Sequence, residues 1–169
     1  MKIAVGTFIA VLVIGMAFGE MAVAQSTSTT NANIELARKN HEEVWSKGNP
    51  AVADEIYSND IVRHSADQPD RRGIEVYKQF ALGSRGAFPD WKETVENIIA
   101  SGDLVATKVT ITGTMTGPLR NLEPTGKSLK VPCAVFFRIA EGKIVGIWSY
   151  YDSVPFLKAI GMLPPPPPK

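Results

Sequence analysis

The spacing of apolar residues switches from helical to alternating at Pro89, and this change constrains the fold more than any other feature. Before Pro89 the apolar residues recur at helical spacing, and after it they alternate with polar residues. Helices followed by strands are typical of an α+β domain, in which helices cover one face of a mostly antiparallel sheet. If that sheet is strongly curved, a cavity remains between it and the helices.

Three helices are predicted before Pro89. The first has an apolar stripe formed by Ile34, Ala37, His41, Val44 and Trp45. The second covers Ala51 to Tyr57 and leads into an extended piece that ends at His64, and the third runs from Ile74 to about Ser84.

Two β-hairpins are predicted after Pro89. The first joins Trp91–Ala100 to Leu104–Met115, and the second joins Ser128–Ala140 to Lys143–Tyr151, each through a glycine-containing turn. Cys133, the single cysteine, lies at an apolar position of the alternating pattern. We therefore expect a small buried hydrophobe there and not a nucleophile.

The first 24 residues have the pattern of a signal peptide. Lys2 is followed by an uncharged apolar run from Ile3 to Phe18, and Ala22-Val23-Ala24 supplies the small residues before a cleavage site at Gln25. A membrane anchor is the alternative, but this run is shorter than the ~20 residues that span a bilayer. We expect a secreted or periplasmic protein with a disordered leader (25–32), one domain (33–163) and a polyproline tail (164–169).

Charge excludes some classes of partner. The chain has 18 Lys and Arg against 17 Asp and Glu, a formal net charge of +1. Nucleic acids and anionic membranes are bound through concentrated positive charge. We therefore expect no nucleic-acid partner and no membrane association after signal cleavage.

Several local motifs carry a family resemblance in their shared order: "EEVWSKGN" (Glu42–Asn49), "NDIVRHS" (Asn59–Ser65), "RGIEVYKQF" (Arg72–Phe80), "AFPDW" (Ala87–Trp91) and "GKIVGIWSYYD" (Gly142–Asp152). Together they resemble the SnoaL-like polyketide cyclases, or ester cyclases, of the NTF2-like superfamily. The resemblance covers roughly 33–163. It implies a cone-shaped α+β barrel, with three N-terminal helices packed on a curved sheet.

The resemblance also implies an activity, the aldol closure of a polyketide ester with no cofactor. In the family one Asp acts as acid and base, and it directly follows the Trp of the last strand in a His-Trp-Asp run. Here that run is Ile147-Trp148-Ser149. A serine hydroxyl without an activating base titrates too high to abstract a proton, so Ser149 does not replace the carboxylate.

The candidate catalytic residues are Asp152, His41 and Tyr151. Asp152 is the nearest substitute carboxylate, and a cap for the turn that follows it, Ser153 to Leu157, is the simpler alternative. His41 is a candidate base, with a hydrogen-bonded core histidine as the alternative. Tyr151 is a candidate hydrogen-bond donor to an oxyanion.

The candidate ligand-binding residues are Trp45, His64, Trp148 and Ser149. For the aromatic residues the alternative is ordinary core packing, and for His64 it is a loop edge. Arg63, Arg71 and Arg72 suit either an anionic ligand group or a solvated loop. Two histidines without ligand spacing predict no metal site.

Three functions remain open. The first is an exported, ester cyclase-type enzyme that performs cofactor-independent acid/base chemistry, an aldol cyclisation or isomerisation, on a small lipophilic carbonyl compound. The second is a non-catalytic binding protein for a small apolar ligand. The third is a structural association domain that forms a homodimer through the outer face of the sheet, as relatives of this fold often do.

Overall fold

The computed structural model describes residues 27–65 and 69–163. The predicted signal peptide, its cleavage site and the polyproline tail lie outside these residues. Within them are four helices: α1 (27–39), which continues as the π-helical segment Asn40–Ser46, α2 (Pro50–Ile56), α3 (Ile74–Ala87) and α4 (Ser153–Ala159). The strands are β1 (Tyr57–Ser65), β2 (Arg71–Arg72), β3 (Lys92–Ser101), β4 (Leu104–Thr114), β5 (Ser128–Ala140) and β6 (Lys143–Tyr151).

The strands form one mixed sheet in the order β2-β1-β6-β5-β4-β3. Strand β1 pairs with β6 in parallel, and every other neighbouring pair is antiparallel. Register shifts within β1, β3 and the β5–β6 pairing bend the sheet. Its concave face is covered by helices, which confirms the predicted α+β cone.

Both predicted hairpins are present. In the second, Glu141 and Gly142 have φ angles of 51° and 70°, as a two-residue type I′ turn requires. In the first, Ser101 pairs with Leu104 across a two-residue turn. The residues between the two hairpins form a loop and contain no strand.

The helices differ from the prediction in two places. Residues 27–32 are helical and not a disordered leader, because the helix that carries the apolar stripe extends further towards the N-terminus. Asn33 is buried there and donates a hydrogen bond of 3.0 Å to the carbonyl of Gly102, which ties α1 to the first hairpin. Helix α3 runs past the predicted end near Ser84 and through Gly86 to Ala87, whereas its expected start at Ile74 is confirmed.

Two apolar clusters fill the interior. The larger joins the first three helices to the inward residues of the sheet, including Val109, Val135 and Phe137. The smaller gathers Phe88 and Met115 against the end of α4. Residues of both clusters line one cavity, which therefore lies between them.

Candidate functional site

A cavity of about 590 Å³ lies between the helices and the concave face of the sheet. This volume suits a small organic molecule. Apolar and aromatic side chains form most of the wall, and they include Trp45, Phe80 and Ile147. Polar side chains such as His41, Arg63 and Glu93 interrupt this apolar wall, and they bear strongly on what the cavity can bind.

The alternation along β6 decides which of the predicted residues reach this cavity. Ser149 and Tyr151 line it, together with Ile147. Trp148, which lies between Ile147 and Ser149 in sequence, points to the opposite face of the sheet, since successive strand residues alternate. Of these predicted residues, Ser149 and Tyr151 therefore lie in the cavity wall and Trp148 does not.

His64 also lies on the outer face of the sheet. Its ring stacks on Trp148 with a centroid distance of 4.8 Å and an interplanar angle of 12°. Its Nδ1 is 2.8 Å from Oδ1 of Asp70, and it does not line the cavity. The predicted ligand contact through His64 is thus replaced by an aromatic stack and an ion-pair contact at the surface.

Asp152 is exposed and does not line the cavity. It is the N-cap of α4, where its carboxylate accepts a hydrogen bond of 3.0 Å from the backbone N–H of Val154. This is the capping arrangement that the sequence offered as the alternative to catalysis. The structure therefore does not place Asp152 with the catalytic candidates His41 and Tyr151.

His41 lines the cavity and is paired with a carboxylate that the sequence analysis did not single out. Its Nδ1 lies 2.5 Å from Oε2 of Glu93, and the two side chains are 1% and 7% exposed. The other carboxylate oxygen, Oε1, accepts a hydrogen bond of 3.1 Å from Nε1 of Trp91. Glu93 also lines the cavity, so a carboxylate held by two ring N–H groups faces the ligand space.

The backbone around this pair is held by Ser46 and Arg85. The Ser46 hydroxyl donates to the carbonyl of His41 (2.7 Å) and accepts from the backbone N–H of Glu93 (2.9 Å). The Arg85 guanidinium donates to the carbonyls of Trp45, Ser46, Pro89 and Trp91. Together they fasten the π-helical segment to the start of β3, which keeps the imidazole and the carboxylate in register.

Thr107 completes the hydrogen bonding of the imidazole. Its hydroxyl lies 3.0 Å from Nε2 of His41 and 3.3 Å from the carbonyl of Val135. When the imidazole is neutral with its proton on Nδ1, the hydroxyl donates to Nε2. When the imidazole is protonated, Nε2 donates to the hydroxyl, which then donates to Val135. Both protonation states of His41 therefore have satisfied hydrogen bonds.

Asn40 and two tyrosines flank the pair. Tyr57 and Tyr77 donate to Oδ1 of Asn40 over 2.6 and 3.3 Å, and Nε1 of Trp45 donates to the Tyr77 oxygen over 2.9 Å. Burial raises the pKa of Tyr77, and it raises the pKa of Tyr57 well above its usual value. Both phenols therefore stay protonated at neutral pH and act as donors.

Trp45 lies in the cavity wall as predicted and also packs on other aromatic residues. Its ring centroid lies 5.6 Å from that of Phe80 and 5.5 Å from that of Trp91. Trp45 therefore packs in the core and also contributes to the cavity wall.

Arg63 does not lie in a solvated loop. It is only 8% exposed and lines the cavity, with its guanidinium carbon 4.6 Å from the centroid of the Phe80 ring. Arg71 is partly buried over the same ring, at 4.2 Å. Arg72 is exposed. The burial arises because β1 faces the cavity at alternate residues, so that Arg63 and Ser65 point inward.

Cys133 lines the cavity as a buried thiol. Burial, reinforced by the nearby Glu93 carboxylate and partly offset by Arg63, raises the pKa of this thiol to about 12. A thiol that stays protonated at neutral pH is a poor nucleophile, which confirms the expectation of a buried hydrophobe.

Within 27–65 and 69–163, no group of three or more His, Cys, Asp or Glu side chains is arranged to hold a metal ion. None of the helices in these ranges is long and apolar enough to cross a membrane.

Glu93 is the site residue that the sequence analysis missed, whereas Arg63 was considered there for an anionic ligand group. A signal for Glu93 was available, since it alternates with Trp91 and Val95 on what would be an apolar strand face. A charged residue at an inward strand position is expensive unless it is paired. Nothing in the local sequence named its partner, because His41 lies 52 residues away.

The comparisons with known proteins agree with this fold. The family model of the SnoaL-like polyketide cyclases matches residues 35–160, and the chain belongs to this family within the NTF2-like superfamily. No curated protein matches the chain at a significant level.

Three solved structures illustrate the likeness. A protein assigned as a SnoaL-like polyketide cyclase from Jannaschia sp. CCS1 is 25% identical, with a TM-score of 0.73 over 80% of this chain and 95% of that one. AclR, assigned as a hydroxylase from Streptomyces galilaeus, is 27% identical (TM-score 0.71; 82% and 86% covered). IdmH, assigned as a polyketide cyclase from Streptomyces antibioticus, is 26% identical (TM-score 0.65; 76% and 98% covered).

Proposed function

We propose that this protein is an acid/base catalyst that performs an aldol cyclisation or isomerisation on a small lipophilic carbonyl compound, with Glu93 as the base. Membership of the SnoaL-like polyketide cyclase family supports a cyclase- or isomerase-type function. The observation that carries the assignment to Glu93 is its bond of 2.5 Å to His41 at the wall of an otherwise mostly apolar cavity.

The proposed reaction needs only proton transfers. Glu93 removes a proton from the carbon next to the substrate carbonyl, and the electron pair of that C–H bond forms an enolate. The enolate carbon then attacks a second carbonyl of the same molecule, or it is reprotonated at another carbon by Glu93. In the cyclisation Glu93 returns its proton to the new alkoxide, so the enzyme ends unchanged.

His41 is the positioning residue in this scheme. Its Nδ1–H orients Oε2 of Glu93, and its Nε2 contact with Thr107 is satisfied before and after proton uptake. The imidazole therefore holds the Glu93 carboxylate in one orientation while its own two hydrogen bonds are kept. Tyr151 lies in the same wall and is the proposed donor to the developing oxyanion.

A binding protein without catalysis is the second candidate function. Ser149 supports it, because a hydroxyl stands in the cavity where the family's carboxylate is expected. The carboxylate of Asp152 caps α4 at the surface and offers no replacement. Under this candidate the cavity holds an apolar carbonyl compound and returns it unchanged.

We further propose that the protein acts after export. The charged residue Lys2, the apolar run and the small residues before Gln25 support this. The mass of the protein recovered from an exporting host tests it, since the proposal expects an N-terminus at Gln25 and an uncleaved chain contradicts it.

Hydrogen–deuterium exchange at the carbon next to a carbonyl tests the catalytic proposal without knowledge of the natural substrate. The probes are 2-tetralone and a panel of lipophilic β-keto esters, followed by NMR in deuterated buffer. Glu93→Gln should slow the catalysed exchange by about 10²- to 10⁴-fold, as expected for loss of a general base. Glu96→Gln is the matched control, because Glu96 is exposed on the same strand and pairs with Lys108. Equal exchange in Glu93→Gln and wild type would favour a different base.

No wild-type exchange above buffer with any member of the panel would favour the binding function. Retention of 2-tetralone, measured by equilibrium dialysis, then gives that function positive support.

A further inference from the structure

Arg63 is a buried cation with no counter-ion among the residues that the structure describes. It is 8% exposed, and its contacts are a hydrogen bond to the hydroxyl of Ser65 and the face of the Phe80 ring. No carboxylate among the described residues forms an ion pair with it. A guanidinium withdrawn from water is strongly disfavoured unless an opposite charge compensates for it. The structure thus leaves a positive charge in the cavity wall for something else to neutralise.

The buried carboxylate in the same cavity is already engaged. Glu93 accepts from His41 through Oε2 and from Trp91 through Oε1, and it makes no ion pair with Arg63. The guanidinium of Arg71 lies over the same Phe80 ring as that of Arg63. The cavity carboxylate therefore does not neutralise Arg63.

Two hydroxyls accompany the guanidinium. Ser65 and Ser149 are register partners in the parallel β1–β6 pair, and both line the cavity. Adjacent strands are about 4.8 Å apart, so both hydroxyls lie within reach of one small group. A carboxylate at position 149 would supply the counter-charge for Arg63, and Ser149 does not.

We propose that Arg63, Ser65 and Ser149 form an anion subsite that binds the carboxylate of a lipophilic carboxylic acid, whose apolar body fills the rest of the cavity. The guanidinium neutralises the carboxylate, and the hydroxyls donate to its oxygens. This inference rests on the proposed function to the extent that the ligand enters the same cavity, and it narrows the substrate class to compounds that carry a carboxylate besides the reacting carbonyl.

Calorimetric titration with 2-naphthoate and 2-naphthamide tests the subsite. The two probes have nearly the same size and shape and differ in charge. Wild type should bind 2-naphthoate about 10- to 100-fold more tightly than 2-naphthamide, as expected for hydrogen bonds to a charged group. Equal affinities, or no binding of 2-naphthoate, would overturn the proposal.

Variants locate the charge that gives this preference. Arg63→Met should abolish it, whereas Arg138→Met should keep it, because Arg138 is an exposed arginine paired with Asp103. Ser149→Asp retains Arg63 and introduces an internal counter-ion, so it should also abolish the preference. The Ser149→Asp variant keeps the test valid if Arg63→Met fails to fold. A preference that survives in Ser149→Asp would contradict the proposal.

The exchange assay on wild type separates this inference from the proposed function, since 2-tetralone carries no carboxylate. Exchange without a preference for 2-naphthoate overturns the subsite alone. A preference for 2-naphthoate without exchange on any member of the panel supports the subsite and favours the binding function.

Discussion

Oε2 of Glu93 lies 2.5 Å from Nδ1 of His41, and this contact joins the π-helical end of the first helix to the first long hairpin. Both side chains are almost fully buried, and both line the cavity. A hydrogen bond between a carboxylate and an imidazole is strong in such a low-dielectric environment. The family's carboxylate on the last strand is absent here, so the acid/base chemistry of this cavity is expected to reside in the pair from the helix and the opposite hairpin.

Thr107→Val should lower the free energy of unfolding by about 1 to 3 kcal/mol, because it leaves Nε2 of His41 without a partner in a buried position. Thr107→Ser keeps the hydroxyl and is the matched control. Urea unfolding of the three proteins at pH 7 measures the difference. A valine variant as stable as the serine variant would show that the hydroxyl does not support the imidazole.

Alkaline pH should destabilise the protein through Cys133. The pKa of the thiol is about 12 in the fold against an ordinary value of 9.0, so the native state holds a proton that the unfolded chain releases. The free energy of unfolding therefore falls between pH 9 and 12, with a contribution from this thiol of up to about 1.4 kcal/mol per pH unit.

The comparison of wild type with Cys133→Ala isolates this contribution. Burial also raises the pKa values of Tyr57 and Tyr77, so both proteins lose stability at high pH. Only the difference between their free energies of unfolding measures the contribution of the thiol. Urea unfolding at pH 8, 9.5 and 10.5 should give curves that diverge, with wild type declining more steeply. Parallel curves would contradict the burial of the thiol.

Asp152 should matter for stability and not for turnover. Asp152→Ala removes the N-cap of the last helix and should cost about 0.5 to 2 kcal/mol of unfolding free energy. Asp152→Asn keeps a capping side chain without charge and should retain most of the stability. Both variants should exchange 2-tetralone at the wild-type rate. A loss of exchange in Asp152→Asn, with the fold intact, would assign the base to Asp152 instead of Glu93.

Local periodicity is enough to predict most of this fold. The strands Ser128–Ala140 and Lys143–Tyr151 have their predicted bounds, because strict alternation and a tight turn are local properties. The parallel pairing of β1 with β6 was not predictable in this way. Its partners are about 85 residues apart, and nothing in either segment specifies the other.

The site was predicted less well, for reasons that the same alternation explains. Trp148 and Ser149 are adjacent in a strand and cannot both face one cavity, and the same holds for Arg63 and His64. Sequence reasoning chose residues by their chemistry and so included the outward Trp148 and His64. The pairing of Glu93 with His41 depends on tertiary packing between a helix and a distant strand.

The most direct test of the central claim is a double-mutant cycle on His41 and Glu93, with α-proton exchange of the most reactive ketone or β-keto ester of the panel as the readout. His41→Gln keeps hydrogen-bonding groups in the buried position, and circular dichroism checks that each variant folds. If the two residues act as one unit, each single variant slows exchange, and the double variant is no slower than Glu93→Gln alone. A wild-type rate in His41→Gln, or losses that multiply in the double variant, would contradict the account.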